Sequence, residues 1–154
     1  MEKTRKHGRQ YVLRLLAIRD RTEAELKEKL RKKGFNEEVI TCVITEMQQL
    51  GYVDDTRYAM HFAKVRATYD KLGPGRILLE LKKRGIPKDL AETATRSVFP
   101  EGKEEANAFD LATRWIARNC TDEKDKSKRR LYGYLARRGF TPNVIMDTLS
   151  KVLK

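Results

Sequence analysis

Disulfide chemistry is the first thing this sequence lacks. Its 154 residues hold two cysteines, Cys42 and Cys120, with no Cys-x-x-Cys pair. That excludes a disulfide framework and a cysteine zinc site, and both residues read as plain thiols. Apolar runs extend only a few residues, far short of the roughly 20 needed to cross a bilayer. The basic opening "MEKTRKHGRQ" is followed by "YVLRLLAIRD", which Arg14 and Arg19 interrupt, so no signal-peptide core is present and the cytoplasm is the expected location. A Gly-x-x-x-x-Gly-Lys phosphate loop, a Gly-x-Ser-x-Gly elbow and a His-Glu-x-x-His motif are all missing.

The scarce residues that could suggest chemistry do not gather. Asp54 and Asp55 are adjacent, so on a helix they point in different directions, and His61 lies more than one turn further on. Asp55 reads instead as the N-cap of a helix beginning "TRYAMHF", with Asp54 adding favourable charge at its positive end. The other histidine, His7, belongs to a solvated basic tail over residues 1–10. Neither an enzyme, a metal nor a cofactor is expected.

What is present is a threefold pattern. "KKGF" at 32–35 returns as "KRGI" at 83–86 and "RRGF" at 137–140, with the glycines Gly34, Gly85 and Gly139 roughly fifty residues apart. Four residues before each glycine stand Leu30, Leu81 and Leu135; eight before, Leu26, Ile77 and Leu131; one after, Phe35, Ile86 and Phe140; five after, Val39, Leu90 and Val144. Such offsets place a buried stripe on a helix before each glycine and another after it. "TEAE" at 22–25 fits a capping box, "GP" at 73–74 a helix start, and Asn36 and Thr141-Pro142 the start of the next helix. A further helix precedes each pair, marked by Val12, Leu15 and Leu16, by Tyr58, Phe62, Val65 and Tyr69, and by Ala108, Leu111, Ala112 and Trp115. At this spacing the aromatic residues are expected in the core. No stretch alternates with period two. The expected fold is all-α, three tandem three-helix repeats over 11–50, 54–98 and 104–153, stacked as an elongated, curved, solenoid-like body.

The charge is one-sided. Lys and Arg number 34 against 22 Asp and Glu, a formal net charge of +12, spread evenly over the three units. Such an excess points to a long anionic partner, nucleic acid or an acidic protein surface. Basic residues before a glycine also suit the negative end of a helix dipole. Within each unit the middle helix is basic, whereas the last helix of the first unit opens with Glu37 and Glu38. Acidic residues there disfavour a helix-turn-helix that reads the major groove, and leave phosphate contact through the middle helices open.

"GYVDDTRYA" at 51–59 and "GPGRILLELKKRGI" at 73–86 resemble the signature of the RecX family of bacterial regulators, and the resemblance extends through the three-unit organisation. It implies a non-enzymatic modulator that binds along the groove of the RecA–DNA filament and restrains strand exchange, ATP hydrolysis and co-protease activity in recombination, repair and the SOS response. The matching positions are Asp54, Asp55, Arg57, Tyr58 and Ala59, then Gly73, Pro74, Arg76, Ile77, Glu80, Leu81, Gly85 and Ile86, with Arg66 at a basic position between them. "ATYDKLGP" at 67–74 departs from the family's more basic, glycine-containing approach and is one residue longer, and Gly75 stands where a larger polar residue is common. The candidate partner contacts are Arg57, Arg66, Arg76, Lys82, Lys83, Arg84, Arg129, Arg130, Arg137 and Arg138, since guanidinium groups bind carboxylate or phosphate in bidentate fashion. The implied partner is the recombinase filament, with direct binding to single- or double-stranded DNA or to another acidic protein as alternatives. No membrane partner is expected, and the chain is expected to be a monomer.

Overall fold

The structure is a computed structural model that describes residues 4–119 and 123–153. Cys120 lies outside the described residues; Cys42 is a half-buried free thiol. Among the described residues there are nine helices and no strand: α1 (Arg5–Ile18), α2 (Glu23–Lys32), α3 (Glu37–Gln49), α4 (Asp55–Thr68), α5 (Pro74–Lys83), α6 (Lys88–Ser97), α7 (Lys103–Asn119), α8 (Lys124–Arg137) and α9 (Pro142–Val152). None of them is long and apolar enough to cross a membrane.

The helices form three units, each with its own apolar cluster. The repeat positions are the centre of those clusters: Leu26, Leu30, Ile77, Leu81, Leu131 and Leu135 are fully buried. Each basic-Gly-apolar motif is a helix stop. Gly34, Gly85 and Gly139 have φ of 92°, 83° and 95°, and the amide of the following residue reaches back into the last turn, from Phe35 to Leu30 O (3.1 Å), Ile86 to Leu81 O (3.1 Å) and Phe140 to Leu135 O (3.2 Å). This is a Schellman closure, and it demands the left-handed glycine and the apolar pair on either side of it.

Three local expectations change. Helix α1 begins at Arg5, inside the expected tail, because Thr4 Oγ1 accepts from the His7 amide (3.4 Å), with the His7 ring nitrogen also in hydrogen-bond contact (2.9 Å), and so starts the helix early. Asp54, not Asp55, is the N-cap of α4, accepting from the Arg57 amide at 3.0 Å. Tyr69 is no core residue: it is 77% exposed just past the end of α4. The capping box at Thr22 is half made, with Thr22 Oγ1 accepting from the Glu25 amide (3.1 Å) while the Glu25 carboxylate turns to Arg19 (2.7 Å).

The units are joined by a repeated device, in which the glycine turn of one unit sits on the N-terminus of the middle helix of the unit before it. At the first joint Thr22 Oγ1 donates to Arg84 O (2.6 Å) and Gly85 lies against Ala24. At the second, the amides of Gly73 and Gly75 donate to Arg138 O (2.8 Å) and Gly139 O (2.9 Å). The carbonyl end of α8 thus meets the amide end of α5, and the two bonds pair terminal backbone groups on each side. Gly73 and Gly75 permit this approach: a Cβ on them would stand 2.6 Å and 3.0 Å from Gly139 O. Helix α8 runs a turn longer toward its start than α2 or α5, so Ser127, at the position equivalent to Thr22 and Gly73, is a buried helical residue. The surface exposed, 9761 Å², exceeds the about 8,000 Å² of a compact monomer of this size, as an elongated array requires.

Candidate functional site

Asp55 supplies the first joint. Freed from capping its own helix, its carboxylate accepts from the Glu23 amide at the start of α2 (2.9 Å), and so caps the helix of the neighbouring unit. Burial there raises its pKa above the ordinary carboxylate range, against the opposing pull of that hydrogen bond. Asn107, buried in α7, does the comparable work at the second joint: its side-chain amide donates to Ala67 O (2.9 Å) in the last turn of α4 and to Leu72 O (3.5 Å) in the connection that follows. Between these points Lys71 takes a left-handed φ of 56°, the conformation a glycine would supply more cheaply.

The candidate cations fall into different environments. Arg57 folds onto its own turn, donating to Gly51 O (3.0 Å) beside Asp54. Phe62 is flanked by two guanidinium groups, Arg84 at 4.4 Å and Arg66 at 4.9 Å from the ring centroid, and stacks on Tyr58. Arg84 is therefore anchored as well as charged. Lys82 and Lys83 are exposed at the end of α5 and make no ion pair among the described residues. In the first unit the middle-helix cations are largely paired, Lys27 to Glu23 (2.8 Å), Arg31 to Glu37 (2.6 Å) and Lys32 to Glu28 (3.1 Å). In the third unit Arg129, Arg130, Arg137 and Arg138 make no ion pair among the described residues.

That charge lines a cleft across the second joint. Its first hollow, about 460 Å³, is walled by Arg66, Asp70, Leu72, Arg76, Glu80, Tyr134, Arg137 and Arg138. A second, about 540 Å³, shares Asp70, Tyr134 and Arg138 with it and adds Tyr69, Lys71, Leu111, Arg114, Trp115, Arg118 and Asn119. The third, about 350 Å³, shares Trp115, Asn119 and Arg137 and adds Arg129, Arg130 and Gly133. On the inner wall the carboxylates face guanidinium groups: Arg66 donates to Asp70 (2.8 Å) and lies 3.5 Å from Glu80 as an ion pair, Arg76 donates to Glu80 (3.2 Å), and Arg114 pairs with Asp110 (3.2 Å). Hydrogen bonding to Asp70 raises the Arg66 pKa, so this residue keeps its charge throughout. Lys71, Arg118, Arg129, Arg130, Arg137 and Arg138 have no acidic partner among the described residues. Arg138 lies over the Tyr134 ring at 5.3 Å. Gly133 makes room for Arg137, whose Nη1 would stand 3.1 Å from a Cβ there.

Thus the cleft gathers six of the ten candidate cations, Arg66, Arg76, Arg129, Arg130, Arg137 and Arg138, and leaves out Arg57, Lys82, Lys83 and Arg84. Of the motif positions it includes Glu80, which orients two arginines; Gly73, Pro74 and Gly85 build joints and helix ends. Sequence reasoning missed Tyr69, Lys71 and Arg118.

Family models described as the first, second and third three-helix domains of RecX match residues 9–47, 54–94 and 103–149. The chain belongs to the RecX family. It is 35% identical over 155 residues to the Regulatory protein RecX of Deinococcus radiodurans, covering 97% of this chain and 72% of that one. The Amycolatopsis mediterranei Regulatory protein RecX is 29% identical over 153 residues, 99% of this chain and 87% of its own. The crystal structure of RecX from Lactobacillus salivarius superimposes with a TM-score of 0.85 over 96% of both chains at 24% identity, which establishes a shared fold. The RecX relatives carry the description of regulatory proteins, and the matched domain boundaries follow the three units of helices.

Proposed function

We propose that this protein is a non-enzymatic regulator that lies along the RecA–DNA filament in the cytoplasm, as a monomer, and restrains its strand exchange, ATP hydrolysis and co-protease activity during repair, recombination and the SOS response. The observation that carries this reading is the joint used twice in succession. It makes three separately cored units into one regular array with cations on its surface, a shape suited to a partner that is itself periodic and anionic. Membership in a family of regulatory proteins agrees with it.

Co-sedimentation with recombinase assembled on DNA tests the reading, at a salt concentration that abolishes binding to the DNA alone. Retention on the filament is expected, since protein contacts outlast counterion release, which weakens duplex binding with a slope of about 0.9 per phosphate. Retention no greater than on bare DNA overturns it. A second reading, direct binding to nucleic acid, is favoured by one specific observation: Arg118, Arg129, Arg130, Arg137 and Arg138, in the cleft between the second and third units, have no acidic partner among the described residues.

A further inference from the structure

We infer that the cleft across the second joint is a site for single-stranded nucleic acid that stacks an unpaired base on Trp115, and that filling it locks the joint. The inference deepens the second reading above and rests on it. Arginines alone would suit any polyanion. The aromatic side chains select among them.

Trp115 is half-buried at the common wall of two hollows. On one side stand the exposed Tyr69 and Arg118 with the half-buried Lys71 and Arg138, on the other Arg129, Arg130 and Arg137. A stacking surface flanked on both sides by cations that have no acidic partner among the described residues matches one nucleotide with a phosphate before and after it. Single-strand sites combine a basic track with aromatic platforms in this way. A duplex keeps its bases stacked on one another and offers nothing to Trp115 or Tyr69; an acidic peptide would use the arginines and leave the rings idle. The pairing of Asp70, Glu80 and Asp110 removes the repulsion that carboxylates would otherwise impose on a phosphate.

The walls come from two units. Tyr69 and Lys71 follow α4, whereas Trp115 and Arg118 belong to α7 and Arg129, Arg130 and Arg137 to α8. At the floor of the joint the Gly73 and Gly75 amides donate to Arg138 O and Gly139 O. A strand held by both walls opposes any opening of those two bonds.

The test needs no recombinase. Trp115 is the sole tryptophan, so its fluorescence reports the cleft directly. An oligothymidylate of about ten nucleotides is titrated beside an abasic oligomer of equal length, a duplex of the same length and poly-glutamate. The intact strand is expected to quench Trp115 and to bind about tenfold tighter than the abasic one. Tyr69→Ala, at an exposed position that leaves the core intact, is expected to weaken the intact strand about tenfold and the abasic strand hardly at all. Amide exchange at Gly73 and Gly75 is expected to slow in the complex. Equal affinity for intact and abasic strands overturns the stacking site while leaving phosphate binding standing; absence of binding to every polyanion at low salt overturns both. Tighter binding of poly-glutamate or duplex assigns the cleft to another partner, and unchanged exchange at the two glycines overturns the locking.

Discussion

Replacing Gly139 with alanine attacks the second joint at its closest approach. A Cβ there would fall well inside contact distance of the Arg76 backbone, at 2.8 Å from its Cα and closer still to its amide, on a residue with φ of 95°. The left-handed conformation costs an L-residue about 1 to 2 kcal/mol. The clash cannot be relieved by a side-chain rotation, because Arg76 presents backbone, so the turn must withdraw and release the hydrogen bonds from Gly73 and Gly75. At about 0.5 to 1.5 kcal/mol each, the two bonds bring the total to about 2 to 5 kcal/mol. Gly51 provides the control: its φ is 81°, but a Cβ on it would meet nothing within 4 Å. Gly51→Ala is therefore expected to cost the conformational part alone. Urea denaturation of both variants, with small-angle scattering to follow the length of the array, measures the difference. Equal losses in the two variants would refute the joint.

At Asp55 burial raises the pKa, so the native state holds this proton more tightly than the unfolded chain does, and ionisation destabilises the fold as pH rises through the native pKa. Asp55→Asn keeps an acceptor for the Glu23 amide without the charge; it is expected to be at least as stable as wild type at pH 7, with the gap closing below the native pKa. Asp55→Ala, which leaves that amide uncapped, is expected to lose about 0.5 to 2 kcal/mol in the same denaturation series. Leu30→Ala and Leu81→Ala, both fully buried, should each cost about 2 to 5 kcal/mol; a loss under half a kilocalorie at both would undo the repeat alignment. Lys82→Glu with Lys83→Glu, at exposed positions, is expected to weaken filament retention with the circular dichroism unchanged, and unchanged retention would return these lysines to the role of helix-end charges. Gly133→Ala should stabilise α8 by up to about 1 kcal/mol while displacing Arg137, read as weaker oligonucleotide binding with a higher melting temperature.

The fold was legible because its signals are local and repeated. Leu26, Leu30, Gly34 and Phe35 carry the stripe, the stop and the closure within ten consecutive residues, and the same set returns at Ile77 to Ile86 and Leu131 to Phe140. The joints were not, because each depends on two distant segments at once. Asp54 and Asp55 both fit a cap, and what separates them is an amide at Glu23, 32 positions away. Gly73 and Gly75 gain their meaning only from Gly139 across the joint. Tyr69 was misplaced for a simpler reason: a helical period carries no information past the end of the helix, and α4 closes at Thr68. The cleft was half legible, since arginines can be counted in a sequence but their pairing with Asp70, Glu80 and Asp110 cannot.

The most direct test of the regulatory account is the DNA-dependent ATP hydrolysis of the cognate recombinase as this protein is added, at salt that suppresses its binding to free DNA. The account requires inhibition at well below one molecule per recombinase subunit. Undiminished hydrolysis at stoichiometric addition, with binding confined to bare nucleic acid, would contradict it.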